Sequence, residues 1–247
     1  MSDLSGKTTI VVGASRGLGH GIATAFAEAG SRVVAVSRTA APFAEPAGGG
    51  STVPELADAA DPTVAGSLLD RYRPEVVVLA AGASPHMRPL QHQTWETFSV
   101  NWQTDVRIAF HWLREALLTP LRPGSRVIVV SSGAAVAGSP LSGGYAGAKA
   151  TQRFITGYAQ DEAKRAGLDI TFSAVLPRIT PVTELGRSAA RAYAARDGRS
   201  EEEYLKQMGP LLTPEIAGSA MVELVRTEAT AVAPGYLLTG AGLKKLP

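Results

Sequence analysis

The sequence predicts an α/β fold in which a parallel sheet is covered by helices on both faces. Short runs rich in β-branched residues alternate with longer stretches of helical spacing along the whole chain of 247 residues. This alternation is typical of parallel sheets, because each strand must be joined to the next by a crossover, usually a helix. The sequence contains no recognisable repeat or linker, and we therefore expect a single domain over residues 1–247.

The first β-α-β unit is the most distinct. Residues 8–12 form a buried strand ending at a glycine, residues 19–29 have helical spacing and stop at Gly30, and residues 32–37 form a second strand. Its length of about 30 residues suits one parallel crossover. Further strands are expected at residues 76–81, 125–131, 170–176 and 236–239, and further helices at residues 63–72, 95–118, 147–166 and 214–227.

Two stretches break the alternation. Residues 39–51 contain Pro42, Pro46 and three consecutive glycines, a composition that disfavours a regular helix. Residues 180–213 are long, rich in Arg and Ala, and late in the chain. Insertions of this kind above a parallel sheet usually cover the ligand crevice, which predicts a helical substrate lid. The alternative is a pair of surface helices with no ligand role.

Composition excludes several classes of function. The 24 Lys and Arg residues against 22 Asp and Glu give a net charge of +2, without the basic clusters and interleaved aromatics of nucleic-acid-binding proteins. The absence of cysteine excludes disulfides and thiolate catalysis. No metal site is expected, because His20, His86, His92 and His111 lack metal-ligand spacing. With no membrane-length apolar run and no signal-peptide pattern, we expect a cytoplasmic protein.

A glycine turn follows the first strand, in residues 13–19 with the sequence Gly-Ala-Ser-Arg-Gly-Leu-Gly. Glycines here permit unusual dihedral angles and let the backbone approach a pyrophosphate. The free N–H groups and positive dipole end of the following helix favour the same anion. The turn therefore predicts a dinucleotide site.

The residues after the second strand indicate which nucleotide is bound. A carboxylate there would accept hydrogen bonds from the ribose hydroxyls and repel a 2′-phosphate. This chain instead has Ser37 and Arg38, with Arg16 in the glycine turn. Two guanidiniums and a hydroxyl suit a dianionic phosphate, so we expect NADP (as NADPH) rather than NAD.

A tyrosine and a lysine four residues apart, Tyr145 and Lys149, share one face of a predicted helix. The strand before them ends at Ser131 and Ser132, which places Ser132 at the carboxyl edge of the sheet. Ligands of open α/β sheets bind at that edge, so these three side chains are candidate catalytic residues.

These motifs together resemble the classical short-chain dehydrogenase/reductase (SDR) family over nearly the whole chain. The glycine turn, Asn101, Ser132, Tyr145 and Lys149 occur in the family's order and approximate spacing. The resemblance implies a Rossmann-type, doubly wound sheet of about seven strands. It also implies an NADP-dependent ketoreductase that interconverts a ketone or aldehyde and an alcohol, assembled as a homotetramer or else a dimer.

The resemblance also implies a role for each catalytic residue. Tyr145 would be the general acid in reduction or the base in oxidation, and Lys149 would favour its phenolate and bond the nicotinamide ribose. Ser132 would hold and polarise the carbonyl, and Asn101 would hold a water that links Lys149 to solvent. A free phenol titrates near 10, so Tyr145 needs such help at neutral pH.

The cofactor contacts extend along the chain. Asp58, with Asp61 as a rival, would meet the adenine amino group, and Thr180, with Thr183 as a rival, would meet the nicotinamide carboxamide. The predicted cofactor-binding residues are Gly13, Ser15, Arg16, Gly17, Leu18, Gly19, Ser37, Arg38, Asp58, Ala81, Gly82, Tyr145, Lys149, Pro177 and Thr180.

The chain departs from the family pattern at three places. Val12 replaces a threonine, Leu79-Ala80 replaces two asparagines, and Arg178 replaces the glycine that follows Pro177. The first two losses remove supporting hydrogen bonds and predict a small cost in stability. We interpret Arg178 as facing a substrate that is anionic or accepts hydrogen bonds.

Substrate contacts are expected from residues 84–95, 133–144 and 183–208, whose mixed apolar and basic side chains are compatible with many carbonyl compounds. A carrier-bound acyl substrate that docks on Arg122 and Arg165 is one alternative. Two others are a catalytically idle dinucleotide-binding module and an epimerase or dehydratase on the same scaffold.

Overall fold

The computed structural model describes residues 4–246. Its strands are β1 (Thr8–Val12), β2 (Arg32–Ser37), β3 (Ser51–Leu56), β4 (Val76–Leu79), β5 (Ser125–Val130), β6 (Ile170–Pro177), β7 (Gly235–Thr239) and β8 (Gly242–Lys245). Its α-helices are α1 (Gly17–Glu28), α2 (Val64–Tyr72), α3 (Trp95–Asn101), α4 (Arg107–Leu118), α5 (Ala134–Ala137), α6 (Tyr145–Arg165), α7 (Glu184–Arg196), α8 (Glu201–Gln207) and α9 (Pro214–Arg226). A π-helix, Trp102–Val106, joins α3 to α4.

The strands form one sheet in the order β3-β2-β1-β4-β5-β6-β7-β8. The seven strands β1 to β7 pair in parallel, as predicted, and β8 adds an antiparallel edge next to β7. Strand order reverses at β1, which lies between β2 and β4. In open α/β sheets this reversal opens a crevice at the carboxyl ends of the strands, and ligands bind there.

The core consists of two apolar layers, one on each face of the sheet. Phe26 of α1 and Met221 of α9 belong to the layer on one face, and Trp112 of α4 and Phe172 of β6 belong to the other. Side chains alternate along a strand, so Val11 enters the first layer while its neighbours enter the second. Burial on both faces explains why these strands read as continuous apolar runs.

Local structure differs from the sequence prediction at three places. The helix expected over residues 95–118 is interrupted by the π-helix, where a buried polar cluster replaces apolar packing. Strand β3 was not among the strands located from the sequence. It contains Pro54, which is tolerated because β3 is an edge strand. Strand β8 was not predicted, because four residues ending in two lysines carry little strand signal.

The stretch expected to form a lid, residues 180–213, contains α7 and α8. Arg191 of α7 pairs with Glu201 of α8 at 2.9 Å, and the rings of Tyr193 and Tyr204 stack with centroids 6.5 Å apart. These contacts join the two helices into one unit. Over residues 4–246, no helix is long and apolar enough to cross a bilayer.

Candidate active site

The glycine turn joins β1 to α1 and has the conformation that its glycines permit. Gly13 and Gly17 have φ values of +88° and +57°, in the region that other residues rarely adopt. A Cβ on Gly13 would lie 2.6 Å from the backbone nitrogen of Ala81, and one on Gly19 would collide with the carbonyl oxygen of Gly13. The turn is therefore a backbone cradle at the amino end of α1, which fits a dinucleotide pyrophosphate.

Arg16 and Arg38 are exposed beside this cradle, where β1 and β2 end. The Arg16 guanidinium lies 2.6 Å from the carboxylate of Glu184, the first residue of α7. The Ser37 hydroxyl donates to the carbonyl oxygen of Thr39 at 2.7 Å. Ser37 and both arginines line the cavity described below.

The two aspartates considered for the adenine end have different environments. Asp58 lines the cavity, and its carboxylate accepts a hydrogen bond from the Ala60 N–H at 3.0 Å. Asp61 instead accepts from the N–H and the hydroxyl of Thr63, at 2.8 and 2.6 Å, just before α2. These hydrogen bonds lower the pKa of Asp61. The structure thus brings Asp58, and not Asp61, to the cavity.

Ser132, Tyr145 and Lys149 also line the cavity. Ser132 follows β5, and its hydroxyl oxygen accepts from the Ala134 N–H at 3.2 Å. Tyr145 and Lys149 lie one turn apart at the start of α6, with the Lys149 ammonium 5.5 Å from the centre of the Tyr145 ring. The helix is fixed to the sheet here, because the Ser131 hydroxyl donates to the Lys149 carbonyl oxygen at 2.7 Å.

Asn101 lies behind this group and does not line the cavity. Its side chain is buried, and its amide nitrogen donates to the Ala83 carbonyl oxygen at 2.7 Å. Its amide oxygen has no hydrogen-bond partner among residues 4–246. A buried acceptor of this kind provides a binding position for a water, which fits the relay that the resemblance implies.

Sequence reasoning missed Asp105, whose carboxylate lies 3.0 Å from the Lys149 ammonium. Asp105 is fully buried and lines the cavity. A signal was available: it follows Asn101 by four residues within a predicted helix, which places the two on one face. The signal was weak, because only the tertiary structure brings α6 against this segment.

The residues that follow β6 form a turn at the start of α7. The Thr183 hydroxyl accepts from the Gly186 N–H at 3.1 Å and donates to the Thr180 carbonyl oxygen at 2.8 Å. Thr183 therefore caps α7. The buried Thr180 donates to the Arg178 carbonyl oxygen at 3.2 Å, and Pro177 and both threonines line the cavity.

Beyond these residues the cavity is bounded by aromatic and apolar side chains. The hydroxyls of Ser139 and Tyr193 lie 2.6 Å apart, which fixes α7 over the segment that follows β5. Arg178 and Tyr204 complete this wall. Burial raises the pKa of Tyr204, and the Arg178 guanidinium opposes that rise. Met87, Val136, Leu185 and Met208 are among the other apolar residues that line the cavity.

The lining residues named above surround one cavity of about 1970 Å³. Sites for single small ligands usually measure about 300–1,000 Å³, so this volume has room for a dinucleotide and a second small molecule. Every residue predicted to bind cofactor lines it, as do the predicted catalytic residues other than Asn101. Arg122 and Arg165 lie at the opposite, amino-terminal edge of the sheet, paired with Glu75 and Glu162.

Comparison with known proteins agrees with this geometry. The short chain dehydrogenase family model matches residues 7–194. Versicolorin reductase 1 of Aspergillus parasiticus is 31% identical over 229 residues, which cover 87% of this chain and 86% of that protein. The short chain dehydrogenase/reductase AacuD of Aspergillus aculeatus is 32% identical over 162 residues, which span 59% of this chain and 55% of that protein.

A solved structure has the same fold. The crystal structure of a short chain dehydrogenase from Mycobacterium avium aligns with a TM-score of 0.78 at 23% identity, covering 100% of this chain and 86% of that one. The family match extends from the first strand through the glycine turn, the segment that contains Ser132, Tyr145 and Lys149, and most of α7. The chain therefore belongs to the short-chain dehydrogenase/reductase family and is an oxidoreductase whose fold binds a nicotinamide dinucleotide.

Proposed function

We propose that this protein is an NADPH-dependent ketoreductase that reduces a ketone or aldehyde to an alcohol, with one catalytic domain spanning the chain. The observation that carries the proposal is the single cavity lined by the glycine turn, Ser132, Tyr145 and the buried Lys149. A lone dinucleotide-binding module would need the turn but not a phenol beside a buried ammonium. The cofactor, when bound, supplies the hydride.

The chain's own residues position the substrate and move the proton. Ser132 holds and polarises the carbonyl oxygen by a hydrogen bond, which stabilises the negative charge that develops there. Tyr145 donates its phenol proton to the same oxygen. Lys149 places a positive charge near the ring and so favours the phenolate that remains. Asn101 holds a water through its unpartnered amide oxygen and reconnects the site with solvent.

The proposed preference for NADPH rests on charge. Arg16, Ser37 and Arg38 lie where the ribose 2′-phosphate would reach, and they offer two cations and a hydroxyl. Asp58 contacts the adenine, and Ala81 and Gly82 border the adenosine. Pro177 and Thr180 contact the nicotinamide end, since Thr183 is engaged as the cap of α7. Ser15, Gly17, Leu18 and Gly19 surround the pyrophosphate.

The wall formed by Tyr193, Tyr204 and Arg178 supports a substrate with an aromatic or apolar body and an anionic or hydrogen-bond-accepting group. We assign residues 180–213 as the lid over this substrate.

We also propose a homotetramer, or else a dimer, working in the cytoplasm. The exposed apolar side chains of α4 and α6 support the assembly.

Cofactor binding is the first test of this proposal. Titration with NADPH and NADH, followed by nicotinamide fluorescence and tryptophan quenching, should give at least about tenfold tighter NADPH binding, equivalent to about 1.4 kcal/mol. Equal affinities would mean that Arg16 and Arg38 do not contact a 2′-phosphate. Absence of binding to either would favour the idle module.

Turnover is the second test. With a panel of ketones and aldehydes, NADPH should be consumed in a 1:1 ratio with alcohol formed; conversion without net NADPH consumption would indicate an epimerase or dehydratase.

Tyr145→Phe should lower the reduction rate at least about 100-fold while NADPH affinity stays within about threefold. Tyr158→Phe, which removes an exposed hydroxyl of the same helix, is the matched control and should retain activity. Retained turnover in Tyr145→Phe would remove Tyr145 from the acid role.

A further inference from the structure

A buried carboxylate lies against the lysine of the proposed catalytic pair. Asp105 has no solvent exposure, and its Oδ2 atom is 3.0 Å from Nζ of Lys149, which is itself only 5% exposed. The Lys149 ammonium also lies 3.0 Å from Oε1 of Gln152 and 3.5 Å from the Val130 carbonyl oxygen. The two acceptors at 3.0 Å, Asp105 and Gln152, orient the ammonium, and the more distant Val130 carbonyl leaves a donor of Lys149 for the cofactor.

The π-helix, Trp102–Val106, positions this carboxylate. Oδ1 of Asp105 accepts from the Ala83 N–H at 2.8 Å, which ties the π-helix to the segment after β4. The Asn101 amide nitrogen lies 3.4 Å from both carboxylate oxygens. Gly82 makes room, because a Cβ there would lie 2.7 Å from Oδ2. The carboxylate is thus held by Ala83, after β4, and by Asn101 of α3, independently of its contact with Lys149.

A third element fixes the other end of the pair. Gln152 of α6 accepts from Lys149 through Oε1 and donates through Nε2 to the Asp105 carbonyl oxygen at 2.8 Å. Gln152 is itself buried. A buried carboxylate and a buried ammonium are each costly alone, and removing one partner leaves the other uncompensated. The cluster is therefore built around the charge of Lys149.

We propose that Asp105 is a positioning residue that keeps Lys149 protonated and sets the proton affinity of the Tyr145–Lys149 pair. The proposal rests on the proposed function for its consequence in turnover. The resemblance places Tyr145, the nicotinamide ribose and, through a water, Asn101 around Lys149, and it names no carboxylate there. In this chain the Asp105 carboxylate contacts both the Asn101 amide nitrogen and the Lys149 ammonium.

Charge determines the direction in which Asp105 shifts the pKa of Lys149. Burial lowers the pKa of Lys149, and the Asp105 carboxylate together with Tyr145 more than offsets this, so its pKa is raised. Asp105 from the π-helix and Tyr145 from α6 are the titratable groups that act on it, and β5 presents only the Val130 carbonyl. A raised lysine pKa stabilises the fold throughout neutral pH, and this stabilisation is lost only as pH rises through the folded pKa.

The same charge acts on the catalytic proton. With Tyr145 neutral and Lys149 protonated, the pair carries one positive charge, and it becomes neutral when its first proton leaves. The Asp105 carboxylate favours the charged form whichever residue releases that proton. Removing it lowers the apparent pKa of the pair. In reduction, which needs the protonated form, the alkaline limb of the pH–rate profile moves to lower pH.

The activity test is the pH profile of kcat/KM for Asp105→Asn, which keeps the side-chain shape and removes the charge. We expect the alkaline limb to move down by about one pH unit or more. Asp70→Asn makes the same chemical change at an exposed position on α2 and should leave the limb in place. Lower activity at every pH with an unmoved limb would mean a purely structural role and overturn the proposal.

A second measurement needs neither cofactor nor turnover, and so separates this proposal from the proposed function. The chain has six lysines, and NMR of lysine-labelled protein can follow each side chain through a pH titration. The Lys149 signal is identified by its loss in Lys149→Arg. It should titrate above the exposed lysines in the unsubstituted protein, and at clearly lower pH in Asp105→Asn. An identical Lys149 titration in both would refute the proposal even if the enzyme is active.

A smaller substitution covers the case in which Asp105→Asn does not fold. Asp105→Ser retains an acceptor for the Ala83 N–H and leaves space for a water. It should give the same downward shift of the Lys149 titration. Loss of the fold in both variants would assign Asp105 to folding and reject the positioning role.

Discussion

Arg178 replaces a glycine of the SDR pattern and places a guanidinium in the wall of the cavity, close enough to Tyr204 to oppose the rise in its pKa. Gly19, in the glycine turn that also lines the cavity, matters through the absence of a side chain, since a Cβ would collide with the Gly13 carbonyl oxygen. One residue thus adds charge to the site, and the other keeps backbone atoms close together.

Arg178→Ala should raise KM for carboxylate-bearing carbonyl compounds by about tenfold and change kcat little, because the lost charge acts on ground-state and transition-state binding alike. Neutral analogues of the same size should be affected less than about threefold. Steady-state kinetics on matched acid and amide substrates checks this. Equal effects on both substrates would remove Arg178 from substrate recognition.

Gly19→Ala should destabilise the protein by about 1–3 kcal/mol, the usual cost of overpacking, and weaken cofactor binding because the turn must shift. Chemical denaturation and NADPH titration measure the two effects. Gly66→Ala in α2 is the control, since the added methyl meets only the flexible end of Glu115. Its helix propensity should make it neutral or stabilising. A Gly19→Ala variant as stable as the Gly66→Ala variant would contradict the close approach.

At the scale of elements, the start of α7, within the proposed lid, contacts the glycine turn. Thr183 caps the helix, and the next residue, Glu184, holds Arg16 of the glycine turn in an exposed ion pair. Exposed pairs contribute about 0–1 kcal/mol, so this contact restrains Arg16 only weakly. A phosphate bound at Arg16 would compete with Glu184 for the same guanidinium.

Glu184→Gln should therefore tighten NADPH binding up to about fivefold, because Arg16 no longer has a competing carboxylate. NADH, which lacks the 2′-phosphate, should bind with unchanged affinity. Fluorescence titration of both nucleotides provides the comparison. Tighter binding of both to the same degree would show a general effect of charge on the cavity and not a contact of Arg16 with the phosphate.

For the whole molecule, the neighbouring helices α4 and α6 leave large apolar side chains exposed. Phe110 and Leu118 lie on α4, and Phe154 and Tyr158 lie one turn apart on α6, each more than half exposed. Large apolar side chains grouped on two packed helices favour an interface. This face supports assembly with further copies of the chain, in line with the proposed homotetramer.

Phe154→Glu should lower the oligomeric state measured by size-exclusion chromatography with light scattering, because a buried unpaired carboxylate is costly at an apolar interface. Leu56→Glu replaces a similarly exposed apolar residue on β3, away from this face, and should leave the assembly intact. A monomeric unsubstituted protein, or an unchanged mass for Phe154→Glu, would contradict the assignment of the face.

The sequence by itself determined the parallel α/β fold, because continuous apolar runs and helical periodicity report burial directly. It also determined the conformation of the glycine turn, since Gly13 and Gly17 are needed for dihedral angles that other residues rarely adopt. That Ser132, Tyr145 and Lys149 line one cavity could be expected from the sequence, because β5 ends and α6 begins at the same edge of the sheet.

Only the tertiary structure decided the remaining features, because each depends on residues distant in sequence that come together in space. Asp58 and Asp61 differ by three positions, yet only Asp58 lines the cavity. Strand β8 forms because β7 offers an edge for pairing. The Asp105–Lys149 ion pair requires the π-helix to pack on α6, a contact between segments 44 residues apart that local sequence periodicity does not encode.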